Sequence, residues 1–144
     1  MSIEKIVVMA DGCFDPVHEG HINYLKAAKE LGTKLVVNIA KDEEIWLKRP
    51  QIGPFLVETA RTELIRSFRF VDDVILVNTP DALKQVRPNI YAKGLDWKGC
   101  LANEELEICS RLNIDIQYLN TVSNSSSKLI NKFIKGINKL KAIK

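Results

Sequence analysis

Short apolar runs alternate with helical repeats along this chain, and the alternation restricts its fold more than any other feature. The runs, which we expect to form five strands, are Ile6–Ala10, Leu35–Ala40, Val74–Val77, Ile90–Ala92 and Ile114–Leu119. The second run is almost entirely apolar, which is typical of a strand buried on both faces of a parallel sheet. The sequence therefore predicts an α/β chain with a three-layer Rossmann-like fold and a mainly parallel five-stranded sheet.

Apolar residues spaced three or four positions apart predict the helices between these strands. The predicted helices are Ile22–Leu31, Val57–Phe68, Thr79 to Pro88, Asn103–Leu112 and Ser125–Ile143. Thr79, followed by proline, is the expected cap of the third helix. In the last helix, four apolar residues are expected to face the core: Leu129, Phe133, Ile137 and Leu140.

The polar segment from Lys41 to Pro54 contains two prolines and a glycine, so it is predicted to be a loop.

With 144 residues, 46% of them hydrophobic, the chain fits one folded domain, 1–144. A net charge of +3 is too mild to indicate nucleic-acid binding. No signal peptide or membrane-length apolar run is present, so no membrane partner is expected. The three cysteines form no C-x-x-C pair, which favours a reduced, cytoplasmic chain.

The segment Gly12–His21 joins the first predicted strand to the first predicted helix through a glycine turn. It contains the only two histidines, His18 and His21, which are three residues apart and so share a helix face. A helix N-terminus favours anions, and this pair therefore suits a polyphosphate. A structural role and a metal site are the alternatives, but a metal of this kind needs three or four ligands and no third histidine exists.

Six residues of this segment match the G-x-F-D-x-x-H-x-G-H signature of the cytidylyltransferase-like nucleotidyltransferases: Gly12, Phe14, Asp15, His18, Gly20 and His21. The chain therefore resembles that family. The resemblance implies that these residues and Cys13 bind a nucleotide and that both histidines are catalytic. Asp15 is expected to brace the turn rather than to bind metal, and Asp11 has a weaker claim to a role.

Ligands of parallel sheets bind beyond the carboxyl ends of the strands, which directs attention to the segments that follow them. Composition alone makes Lys48 and Arg49 solvated residues and Arg61 a surface residue. The resemblance instead implies that Lys48 reaches the triphosphate as a catalytic residue, with Arg49 as a neighbour. It also implies that Arg61 lies close to the nucleotide.

The segment Lys93–Trp97 resembles the K-G-G-D-Y of ADP-heptose synthases and the G-D-D-W of glycerol-3-phosphate cytidylyltransferases. The resemblance implies that Lys93, Gly94, Asp96 and Trp97 bind the nucleotide. Asp96 could hold a ribose hydroxyl or a metal, and Trp97 offers a face for stacking. An ordinary strand-to-helix turn is the alternative.

Three serines, Ser125, Ser126 and Ser127, open the last predicted helix, where hydroxyls commonly cap free N–H groups. The run resembles the family's serine/threonine element, which implies contact with the phosphates. One departure is that Asn120–Asn124 stands where glycerol-3-phosphate cytidylyltransferases have R-T-x-G-I. This departure counts against the glycerol-3-phosphate type, and the stretch Thr79-Pro80…Arg87-Pro88…Lys93-Gly94 resembles the heptose-type relatives instead.

The expected activity is transfer of a nucleoside monophosphate from CTP or ATP to a phosphorylated sugar or polyol, such as glycerol 3-phosphate or heptose 1-phosphate, with release of pyrophosphate. CTP is slightly favoured, and Mg²⁺ is expected to arrive with the triphosphate. Adenylyltransferases of the ADP-heptose, FAD or nicotinate-mononucleotide type remain alternatives, as does a non-catalytic regulatory nucleotide-binding domain. No nucleic-acid or membrane partner is expected, and a homodimer is compatible with the resemblance.

Overall fold

A computed structural model describes residues 2–121 and 125–143. Its five strands are β1 (Val7–Gly12), β2 (Lys34–Ile39), β3 (Asp73–Ile75), β4 (Ile90–Gly94) and β5 (Asp115–Leu119). All pair in parallel, in the order β3-β2-β1-β4-β5. The predicted fold class is therefore confirmed. Because the chain crosses from β3 at one edge to β4 on the other side of β1, the strand order reverses between β1 and β4, where such sheets open a crevice.

Six α-helices connect and flank the strands within the described residues: α1 (Glu19–Glu30), α2 (Asp42–Lys48), α3 (Glu58–Arg66), α4 (Thr79–Val86), α5 (Asn103–Arg111) and α6 (Ser126–Ile143). Helices α1 and α3 pack with Val8 and Ala10 on one face of the sheet. Helices α4 and α5 pack with Met9 and Tyr91 on the other. Side chains alternate along β1, so Asp11 follows Met9 toward the α4/α5 face.

The segment predicted to be a loop from Lys41 to Pro54 contains helix α2, so that prediction was wrong. The carboxylate of Glu44 accepts the N–H of Lys41 at 3.1 Å, which satisfies a free donor at the start of the helix. Three acidic residues in the first turn also suit its positive end. Ile45 is buried and anchors the helix to the body of the protein. Lys48 therefore lies at the end of a helix rather than in a long loop.

Helix α4 is capped by Asn78 and not, as predicted, by Thr79. The Asn78 side chain accepts the N–H of Asp81 at 3.1 Å. Thr79 is the first helical residue, and its hydroxyl donates to the carboxylate of Asp11 at 2.9 Å. The residue expected to cap the start of the helix therefore bonds to a carboxylate of β1 instead.

Helix α6 buries none of its side chains fully, and only Leu129 and Ile137 of the expected inward stripe are partly buried. Phe133 is 68% exposed and Leu140 is 66% exposed. None of the described helices has the length and apolar character needed to cross a bilayer. Val122, Ser123 and Asn124, which belong to the departure from R-T-x-G-I, lie outside the described residues.

Candidate active site

A cavity of about 400 Å³ opens at the carboxyl ends of β1, β2 and β4. Twelve of the sixteen predicted site residues line it: Gly12, Cys13, His18, Gly20, His21, Lys48, Lys93, Gly94, Asp96, Trp97, Ser125 and Ser126. The structure thus brings together segments that are far apart in the sequence. Phe14, Asp15, Arg61 and Ser127 are the predicted residues that do not line it.

Phe14 and Asp15 lie beneath the turn and hold its shape. Phe14 is buried with a φ of 51°, and its ring meets the edge of the His21 ring at a centroid distance of 5.0 Å. Asp15 accepts the backbone N–H groups of Phe55 at 2.8 Å and Leu56 at 2.6 Å, and it pairs with Arg49. These bonds give Asp15 the bracing position that the sequence predicted.

The two histidines present the same tautomer. The Nδ1 atom of His18 accepts the N–H of Gly20 at 3.1 Å, and the Nδ1 atom of His21 accepts the N–H of His18 at 3.2 Å. In a neutral imidazole whose Nδ1 is an acceptor, the proton resides on Nε2. Each ring therefore has its second nitrogen available as a donor at the start of α1.

Both rings are held neutral by their surroundings. Burial, together with the smaller effect of the neighbouring His18, lowers the pKa of His21 to about 4. Burial also lowers the pKa of His18, although Glu19 acts in the opposite direction. Since their ordinary pKa is 6.5, both histidines are uncharged hydrogen-bond donors at neutral pH in the unliganded protein.

Lys48, the last residue of α2, contributes a positive charge to the cavity wall. Lys48 Nζ lies 3.5 Å from Cys13 Sγ. Among the described residues, no carboxylate pairs with this ammonium. Ser126 donates its hydroxyl to the Pro16 carbonyl at 2.9 Å, which places the start of α6 against the histidine turn. The cavity thus combines a lysine with two helix N-termini, an arrangement that suits several phosphates.

Arg61 is fully buried, so the surface position suggested by composition alone was wrong, and its place close to the nucleotide stays a prediction. Its guanidinium donates to three carbonyls, those of Cys13 at 2.9 Å, Ala40 at 2.6 Å and Leu56 at 2.8 Å. It also pairs with Asp42 at 2.7 Å. Arg61 therefore lies under the site and ties the histidine turn to β2, α2 and the loop before α3.

A buried ion pair joins β1 to β4 at the cavity wall. Lys93 Nζ donates to Asp11 Oδ1 at 2.6 Å, and both side chains are less than a tenth exposed. The same ammonium lies 4.3 Å from the centre of the Trp97 ring, within range of a cation–π interaction. Lys93 is thus bound to protein groups and supports Trp97. A Cβ at Gly94 would approach Asp96 Oδ1 to 2.5 Å, so a side chain here would have to displace the Asp96 carboxylate.

Several other lining residues were not predicted from the sequence: Tyr24, Asn38, Ala40, Glu44, Thr79, Glu105 and Thr121. Asn38 could have been identified from the sequence, because it is the one polar residue in the apolar run Leu35–Ala40. Glu105 could not have been identified in this way, because its place at the cavity depends on the packing of α5 against Tyr91. The described residues contain no group of three potential metal-binding side chains.

The family profile described as cytidylyltransferase-like matches residues 9–132, which is most of the chain. The chain belongs to this family. An FAD synthase from Pyrococcus horikoshii is 39% identical over 101 residues, covering 66% of each protein. Bifunctional protein HldE from Campylobacter jejuni is 32% identical over 133 residues, covering 90% of this chain and 28% of HldE.

Membership of the family confirms the resemblance drawn from the histidine segment and marks the chain as a nucleotidyltransferase domain. The chain spans just under two thirds of the FAD synthase and less than a third of HldE. A lipopolysaccharide core biosynthesis protein from Thermoplasma volcanium has the same fold, with a TM-score of 0.68 and 32% identity. That match covers 83% of this chain and all of the other.

Proposed function

We propose that this protein transfers a nucleoside monophosphate from a nucleoside triphosphate to a phosphorylated sugar or polyol and releases pyrophosphate. The observation that carries the proposal is the pair of neutral histidines at the start of α1, each with Nδ1 bonded to the backbone and Nε2 left as a donor. Lys48 and the start of α6 border the same cavity. Fixed donors of this kind stabilise negative charge as it develops during phosphoryl transfer.

In this reaction, an oxygen of the acceptor phosphate forms a bond to the α-phosphorus. The bond from that phosphorus to the oxygen bridging to the β-phosphate breaks, and pyrophosphate leaves with the electron pair. His18 and His21 donate hydrogen bonds to the phosphate oxygens, and Lys48 holds the leaving group. The acceptor phosphate is already anionic at neutral pH, so no residue needs to act as a base. Catalysis rests on positioning and charge stabilisation.

ATP is the donor that the relatives favour, in place of the slight preference for CTP drawn from the sequence. Both an FAD synthase and an HldE protein match this chain at more than 30% identity. Trp97 is 42% exposed, so its ring could stack on a base. We therefore propose adenylyl transfer, with CTP as the competing donor.

Heptose 1-phosphate is the acceptor that we propose first, because the HldE match covers 90% of this chain and Lys93–Trp97 resembles the heptose-type segment. FMN is the second candidate, supported by the 39% identity to the FAD synthase. Mg²⁺ is proposed to accompany the triphosphate. With no protein cage of three ligands among the described residues, it would be held largely by phosphate oxygens and water.

The proposal is tested by incubating the protein with Mg²⁺ and each of ATP, CTP, GTP and UTP against a panel of acceptors. The panel contains heptose 1-phosphate, glycerol 3-phosphate, ribitol 5-phosphate, phosphoethanolamine, nicotinate mononucleotide, phosphopantetheine and FMN. Pyrophosphate is measured and the products are identified by mass. We expect kcat/KM for one triphosphate to exceed that for the others by more than about tenfold, because a wrong base leaves polar groups of the site unpaired.

Turnover with FMN, nicotinate mononucleotide or phosphopantetheine alone would reject the sugar acceptor but keep the chemistry. Tight nucleotide binding without pyrophosphate release from any pair would instead support a regulatory domain.

A further inference from the structure

The cavity has two chemically different sides. His18 and His21 lie on the side of α1. There Phe14, which belongs to the core beneath α1 and α3, packs against His21. Asp11 and Glu105 lie on the opposite face of the sheet, where Tyr91 belongs to the core of α4 and α5. One side therefore offers donors for phosphate, and the other offers carboxylate oxygens.

The two carboxylates share a single phenol. The Tyr91 hydroxyl lies 2.8 Å from Asp11 Oδ2 and 2.9 Å from Glu105 Oε1. Burial and both carboxylates raise the pKa of Tyr91 far above its ordinary value, so the phenol keeps its one proton. One proton cannot serve both oxygens.

Asp11 does not depend on that proton. It receives the ammonium of Lys93 at 2.6 Å and the hydroxyl of Thr79 at 2.9 Å. Within the part of the chain that the structure describes, Glu105 has only the backbone N–H of Ala102 besides the phenol, at 3.3 Å. Glu105 is also only partly buried and lines the cavity. It is therefore the carboxylate of this wall with the most capacity left for a ligand donor.

We propose that Glu105 is a specificity-determining residue that accepts hydrogen bonds from hydroxyl groups of the acceptor. This inference rests on the proposed function. His18, His21 and Lys48, which are assigned to the triphosphate, lie across the cavity from Glu105, so the α4/α5 side is open to the acceptor. A carboxylate there repels a second phosphate and gains nothing from an apolar ring. It favours a polyhydroxylated carbon chain whose hydroxyls can donate to it.

The test compares Glu105→Gln with the wild type, using ATP, Mg²⁺ and heptose 1-phosphate. Glutamine keeps the size of the side chain and suits the start of α5, but it lacks the charge. Loss of a hydrogen bond to a charged group predicts about a 10- to 100-fold fall in kcat/KM for the acceptor, mainly through its KM. The Kd for ATP should change less than about twofold. Glu107→Gln, an exposed change on the same helix, is the matched control.

Glu105→Asp keeps the charge on a shorter side chain and should fall between wild type and Glu105→Gln, which also covers the case that the glutamine variant folds poorly. An unchanged acceptor KM in a folded Glu105→Gln variant would overturn the inference and leave the proposed function standing. A rise in the Kd of ATP instead would assign Glu105 to the nucleotide and would also overturn it. Absence of wild-type turnover with every phosphorylated sugar or polyol would reject the proposed function itself. If FMN is then the acceptor, sensitivity of its KM to Glu105→Gln supports the role, since its ribityl chain bears hydroxyls, and insensitivity overturns it.

Discussion

The imidazole rings of His18 and His21 stack with their centroids 3.8 Å apart. Each uses its Nδ1 to accept a backbone N–H, so the start of α1 and the donors of the cavity are made by the same two side chains. Substitutions at these positions can affect both folding and chemistry, and the two effects must be separated.

Asparagine separates them, because its side-chain oxygen can replace Nδ1 as the cap while nothing replaces Nε2. We expect His18→Asn and His21→Asn each to lower kcat by about 10²-fold or more, as for loss of a fixed donor at developing charge. His18→Ala should show the same loss and also cost about 1 kcal/mol of stability through the missing cap. Steady-state kinetics and urea unfolding measure the two quantities. Near-wild-type turnover in either folded asparagine variant would exclude the catalytic role.

Stability should fall as the pH drops from about 6.5 toward 4, in part because of His21. Its pKa is lowered to about 4 in the folded protein and lies near 6.5 in the unfolded chain. Between these values the unfolded chain binds more protons, so acid favours unfolding, by up to about 1.4 kcal/mol per pH unit. Urea unfolding at several pH values checks this. His21→Asn should flatten the curve in that window, and an equally steep curve would show that other groups cause it.

Arg61→Ala should destabilise the protein by about 3–5 kcal/mol, since it removes a buried cation from three carbonyls and a carboxylate. Arg66→Ala on the same helix is the control. Arg66 forms an exposed pair with Glu63, and its loss should cost less than about 1 kcal/mol. Urea midpoints compare the two. Similar values for both variants would contradict the structural role of Arg61.

Lys48→Met should lower kcat/KM for the triphosphate by about 10- to 100-fold, because it keeps the apolar stem but removes the charge that we propose binds phosphate. Lys84→Met, an exposed change in the last turn of α4, is the control and should behave like the wild type. Equal kinetics for the two variants would remove Lys48 from the triphosphate site.

Nucleotide binding should also protect the Lys48–Arg49 bond, since Lys48 is exposed at the end of α2 in the unliganded protein. Limited trypsin digestion with and without ATP and Mg²⁺ measures this. An unchanged cleavage rate at saturating nucleotide would argue against closure of this segment over the triphosphate.

Local patterns allowed most of the fold and the centre of the site to be predicted. The histidine turn and Lys93–Trp97 each lie in one continuous segment beside a strand, so their residues could be read together. The role of Arg61 could not be, because the carbonyls that satisfy it come from three separate segments. Helix α2 was missed because it is only seven residues long and is followed closely by proline and glycine.

Thr79 and Glu105 were both missed as cavity residues, for a common physical reason. Their side chains meet Asp11 and Tyr91, which are 68 and 14 residues away in the sequence. Helical periodicity relates residues three or four positions apart and carries no information on pairs that are distant in the sequence. The exposed apolar side of α6 shows the same limit, since periodicity identifies an apolar face without identifying what covers it.

The bonds of Arg61 also limit how this protein can be redesigned. Exchanging the residues between β2 and α3 for those of a relative, in order to change substrate preference, would remove the Asp42 carboxylate and alter the path of the Ala40 and Leu56 carbonyls, but leave Cys13 in place. The guanidinium would then lose partners on one side only, and the histidine turn would shift with it. Loop grafts into this scaffold should therefore carry residues 40–61 together as one block.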